Sequence, residues 1–228
     1  MPLHPMQKRR SPYRFGLCMM SPRYPIQQDG IYGRDPSQYR NALHTRSFWF
    51  LWITWTLAGA AGVSMSILAT AYGLSKGFDL GSAILILTAF NFTNGTGRII
   101  SGLLSDKIGR IRTMSMAFLA AGLAYFVLPM AGSLTSCAIL ASIVGFAHGT
   151  LFSVSAPLVA DSFGLKHFGA IFGLAFAAYG FVAGPLGPTL SGVILDVTNG
   201  NFFLVFFYLA IFYLISGFCI RMVSPSLH

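Results

Sequence analysis

Arg98 is the residue of this 228-residue chain whose chemistry asks for the most explanation. It sits within an apolar run, eight residues before Asp106. At a rise of 1.5 Å per residue, that is ~12 Å inside the helix end. An unpaired cation at such depth in hydrocarbon costs from ~2.5 to more than 10 kcal/mol. Arg98 is therefore expected to face a water-filled or ligand-filled interior. Asn91, Gly95, Arg98 and Gly102 follow at spacings of four, three and four, which a helix gathers on one small, polar face. A guanidinium grips a carboxylate in a two-pronged fork, so an anion-binding cation is the functional reading. An arginine held by backbone carbonyls or by a fixed Asp is the alternative, and no acid of the chain lies at comparable depth. His148, in Gly145-Phe-Ala-His148-Gly149, is the other ionisable group at depth apart from tyrosines. With an unperturbed pKa of about 6.5 it suits either a proton relay or a neutral imidazole hydrogen-bonded between helices.

The elements that must carry these residues are six apolar runs, roughly 48–72, 82–104, 112–131, 133–159, 167–195 and 202–222. Each reaches the ~20 residues that cross a ~30 Å hydrocarbon core. Short connections hold the turn formers, and no run alternates as a strand would. The fold class expected is an all-α membrane protein, a six-helix transmembrane bundle over 48–224. Composition agrees: 54% of residues are hydrophobic and 9% charged, too few charges to cover a water-facing surface. Residues 1–47 differ, with six prolines and eight Lys or Arg. They read as a largely disordered basic segment, with a short surface helix at 36–45.

Six spans put both ends on one side. That side holds thirteen Lys and Arg residues, and the other holds only Lys76. The bias orients both termini to the cytoplasm, in a multi-pass protein of the plasma membrane. It also explains the net charge of +9 without nucleic acid. Cys18, Cys137 and Cys219 have no disulfide or metal spacing, and no acid pair, metal cluster or Ser/His/Asp set points to an enzyme. No cofactor, metal or catalytic residue is expected.

The most specific local pattern joins the second and third runs: Gly102-Leu-Leu-Ser-Asp106-Lys107-Ile-Gly109-Arg110. Gly109 permits a positive φ in a tight turn. Asp106 stands at a helix end, where it can pair with a nearby Arg. Lys107, Arg110 and Arg112 anchor the turn at an anionic leaflet.

This pattern resembles the signature loop of the major facilitator superfamily, which follows the second helix and recurs after the eighth. With Asn94-Gly-Thr-Gly-Arg98 before it, the segment is similar to the second-half repeat of the oxalate/formate antiporter-like branch. His44-Thr-Arg-Ser-Phe-Trp49 and Phe168-Gly-Ala-Ile-Phe-Gly173 resemble the entries to its seventh and eleventh helices. The resemblance covers roughly 36–224 and implies helices seven to twelve, the C-terminal half of a transporter. In that branch an arginine of the eighth helix binds the carboxylate substrate, and Arg98 falls on its position. Oxalate transporters of the branch add a lysine in the eleventh helix, where this chain has Tyr179. A single cation suits a monocarboxylate better than a dicarboxylate, and Tyr179 either hydrogen-bonds the carboxylate or packs.

The implied function is secondary transport of a small organic anion by alternating access between two six-helix halves. One half supplies one wall of the site. Expected partners are thus the bilayer, a small carboxylate, and a missing N-terminal half or a second copy. A truncated or split gene product, a domain needing a separate N-terminal half and a homodimerising half are the options. Truncation is the one expected, since residues 1–35 lack a helical run where a sixth helix should lie. A non-transporting membrane interaction protein, or an inactive remnant keeping the fold, is the competing expectation.

Overall fold

The computed structural model describes residues 43–165 and 168–224. The basic segment up to residue 42, most of the expected surface helix at 36–45, Lys166, His167 and residues 225–228 lie outside the described residues.

Among the described residues six long helices form, with no strand. Helix α1, Arg46–Ser75, starts where the Thr45 side chain accepts from Phe48 N at 3.3 Å. It ends at Gly77, whose φ of +84° closes the turn while Phe78 N–H bonds Gly73 O at 3.2 Å. Only a residue without Cβ adopts that backbone freely. Helix α2, Leu80–Ile108, is capped by Asp79, which accepts from Ser82 N at 3.1 Å and Ser82 Oγ at 2.6 Å. The Ser82 hydroxyl, then its backbone N–H, hold the Asp79 carboxyl below its ordinary pKa. Gly109, at φ +96°, breaks the chain into α3, Arg110–Val127, which a 3-10 turn extends through Met130. Helix α4, Leu134–Phe163, opens on a reciprocal Ser133–Ser136 capping box. Helix α5, Phe168–Val197, carries a π-helical stretch over Ala178–Ala183 just before Pro185 and Pro188. Helix α6, Phe202–Cys219, begins at an Asn201 cap.

These bounds fall within a few residues of the six expected runs. Five of the helices are long and apolar enough to cross a membrane. The exception is α2, which is as long as the others. Its Asn91, Thr93, Asn94, Thr96 and Arg98 dilute its apolar character.

Helix α1 lies at the centre, packed on α2, α4, α5 and α6, and its Trp55 and Met65 are fully buried. Tyr125 of α3 reaches it by donating to Ala61 O at 2.7 Å, and Tyr72 ties it to the end of α3 through Leu128 O at 2.6 Å. Helices α3 and α6 lock through Ser115 Oγ donating to Gly217 O at 2.8 Å. On their outer faces Met116, Leu123, Val127, Phe207 and Phe218 are exposed. A bilayer, not water, suits such a surface.

Candidate functional site

Arg98 is placed by the close packing of α2 on α4. Gly145 and Gly149 of α4 lie against the backbone of α2, so that a Cβ at Gly149 would collide with Asn94 O. Small residues permit this approach within a membrane. One turn on, Ser153 Oγ donates to Arg98 O at 2.6 Å and fixes the register. The face of α2 that α4 covers holds Phe90, Gly97, Ser101 and Ser105, all buried. Asn91, Gly95 and Arg98 lie on the other side, exposed, and nothing stands within 4 Å of where a Gly95 Cβ would be. Gly102, expected on the same open face, is half-buried toward Ser153, whose Oγ would stand 3.1 Å from a Cβ there. The small residues therefore divide between two jobs: Gly97 and Gly102 pack on α4, and Asn91 and Gly95 flank Arg98.

The Arg98 guanidinium does not project freely. Its Cζ stands 4.8 Å from the centroid of the Phe152 ring of α4, a cation–π contact. The ion pairs among the described residues both belong to Arg110. Arg98 thus has no acidic partner among the described residues, and Asn91 lies two turns away on the open face.

Around Phe152 the structure gathers rings from three helices. Tyr179 of α5 lies 5.1 Å away, His148 of α4 5.2 Å, Trp55 of α1 5.5 Å and Phe176 of α5 6.3 Å, centroid to centroid. Tyr179, half-buried within the π-helical stretch, shares this cluster with Arg98. A π-helical turn inside an α-helix is a recurrent feature of functional sites. His148 is buried between α1 and α4, its Nδ1 packed where a side chain at Gly62 would be. That Nδ1 and the Trp55 Nε1 have no hydrogen-bond partner among the described residues. The imidazole is a wedge between helices, behind the rings that face outward.

The signature loop is a separate unit at the end of α2. Arg110 bonds Asp106 at 3.4 Å and, more closely, Asp161 near the end of α4. Gly109 supplies the turn between them, and Lys107 stands exposed. The loop thereby clamps α2, α3 and α4 at one end. The spacing anticipates the Asp106 pair, whereas Asp161, 51 residues further on, carries no local signal. Sequence reading also passes over Phe152, Phe172 and Phe176. The available clue is the recurrence of rings on α5 at Phe168, Phe172, Phe176 and Tyr179, one helical face.

A six-helix bundle with this loop and an intramembrane arginine on its open face defines half of a membrane transporter fold. A family model described as the Major Facilitator Superfamily matches residues 47–228, and the chain belongs to that family. It is similar to the oxalate:formate antiporter of Oxalobacter formigenes, 29% identical over 60% of this chain and 33% of the relative. It is similar also to monocarboxylate transporter 14 of Homo sapiens, 25% identical over 81% of this chain and 38% of the relative. A riboflavin transporter of Saccharomyces cerevisiae is 27% identical over 65% and 29% respectively. The chain spans about a third of the length of these curated relatives.

Proposed function

We propose that this chain forms one wall of a secondary active transporter for a small organic anion, a mono- or dicarboxylate. Arg98 receives the carboxylate, and Asn91 and Tyr179 flank it with hydrogen-bonding groups. The observation that carries this reading is the placement of Arg98. It lies on an open face nearly three turns from the end of α2, held over the Phe152 ring, with no acid paired to it among the described residues. Such a cation belongs in a water-filled path and not against lipid. Relatives named as an oxalate:formate antiporter and a monocarboxylate transporter agree with a carboxylate.

Transport requires the open face to be covered in alternation from two sides. A second six-helix half, either an N-terminal half or another copy of this chain, completes the site. The protein works in the plasma membrane with both termini cytoplasmic, as its basic loops favour. His148 acts as a wedge that sets the spacing of α1 and α4, and the loop clamp of Gly102, Asp106, Lys107, Gly109 and Arg110 holds one end together while the halves rock.

Uptake of labelled formate, lactate or oxalate into proteoliposomes tests the proposal, with the chain reconstituted alone and with a co-expressed N-terminal half. Substrate-dependent uptake that disappears in Arg98→Ala is the expected result. No uptake in either preparation supports the competing reading, a membrane interaction protein or inactive remnant that keeps the fold.

A further inference from the structure

We infer that the Arg98 wall takes carboxylates with a flat, unsaturated body, such as arylalkanoates, in preference to bare anions such as formate, acetate or oxalate. This rests on Arg98 being the carboxylate site. The rings beside Arg98 do not end at Phe152. Phe176 lies 5.7 Å from Tyr179 and is 40% exposed, and Phe172 follows 6.1 Å further along α5. From Tyr179 to Phe172 is seven residues, ~10 Å along the helix. A strip of aromatic surface thus leads away from the guanidinium, long enough for one ring and a short linker.

Lipid does not explain this strip. The same open face carries an exposed arginine, which hydrocarbon would expel. Nor is the strip loose surface. Trp55, fully buried, backs it at 5.2 Å from Phe176, 6.0 Å from Tyr179 and 6.2 Å from Phe172. Rings held from behind present fixed edges and faces, and aromatic pairs favour offset or edge-to-face contact. A formate or oxalate on Arg98 would leave the strip bare, with no second cation on this wall among the described residues to hold a second carboxylate. An arylalkanoate satisfies both ends of the surface.

The test uses the whole chain in lipid nanodiscs, its helicity checked by circular dichroism, and isothermal titration with 3-phenylpropionate, acetate, oxalate and the neutral 3-phenylpropanamide. The expected result is 3-phenylpropionate bound about tenfold or more tighter than acetate or oxalate, with Arg98→Gln abolishing the binding. Phe176→Ala, at an exposed position, is expected to weaken 3-phenylpropionate about fivefold and leave acetate unchanged. Acetate or oxalate bound as tightly as 3-phenylpropionate, still through Arg98, overturns the ring preference and leaves the carboxylate site standing. The amide bound as well as the acid, insensitive to Arg98→Gln, means partition into lipid and overturns it too. Failure to bind any of the acids overturns both the preference and the Arg98 site.

Discussion

Arg98 and Asp79 illustrate two ways in which a single charged residue serves α2. Arg98 is costly to keep within a membrane, and it stands on an open face over Phe152 with no acid paired to it among the described residues. Asp79 acts on structure alone. It satisfies the first turn of α2, and the Ser82 hydroxyl and N–H lower its pKa. A carboxylate depressed in the folded state contributes stability that is fully present above its unfolded value and lost as pH falls through its folded value. The difference in melting temperature between the native protein and Asp79→Ala is therefore expected to be constant above about pH 6 and to shrink below about pH 4. A difference that stays equal from above about pH 6 to well below about pH 4 contradicts the capping role. Arg98 could be read from the sequence because depth and charge together are rare. Phe152, its platform, could not, since a phenylalanine in an apolar run carries no mark of which neighbour it will meet.

At the scale of elements, the six spans were legible because run length and turn residues are local properties. Gly77, Gly109, Gly164 and Gly200 all take a positive φ at or beside the helix ends where the sequence breaks. The faces were less legible. The small residues of α2 look alike in sequence, yet Gly97 and Gly102 turn to α4 while Gly95 stays open. Only the partner helix decides. The close approach at Gly149 has a direct consequence. A Cβ there meets the Asn94 carbonyl, which is helix backbone and cannot rotate away. Gly149→Ala is expected to lose ~1–3 kcal/mol of stability and to displace Arg98 along with α2. Gly95→Ala, which meets nothing, is expected to stay within about 0.5 kcal/mol of the native protein. Thermal melts of the two variants side by side check this, and equal losses would contradict the packing described. Opening the loop clamp is a milder change. Arg110→Ala removes contacts to Asp106 and Asp161 that are partly exposed, and is expected to cost at most ~1 kcal/mol.

For the whole molecule, the sequence indicates how many helices cross the membrane, and resemblance indicates which family they form. The distribution of exposure adds which side remains uncovered. Helices α3 and α6 present apolar side chains suited to lipid. The open face of α2 bears Arg98, and α5, the least buried of the five apolar spans, carries the exposed ring of Phe176. The bundle is thus asymmetric, apolar on α3 and α6 and charged at Arg98 on α2, and on the proposed reading the charged side faces a second half and a solute. Co-expression with an N-terminal six-helix half is expected to confer uptake that this chain alone does not.

The most direct test of whether the Arg98 face is wet and solute-facing is cysteine accessibility at Gly95, one turn from Arg98. The measurement uses Gly95→Cys with Cys18, Cys137 and Cys219 replaced by serine. Modification by a charged, membrane-impermeant methanethiosulfonate is expected, slowed by a carboxylate substrate while Arg98 is intact and no longer slowed in Arg98→Gln. A cysteine that resists the charged reagent but reacts with a lipid-soluble maleimide would contradict it, since that face would then lie against hydrocarbon.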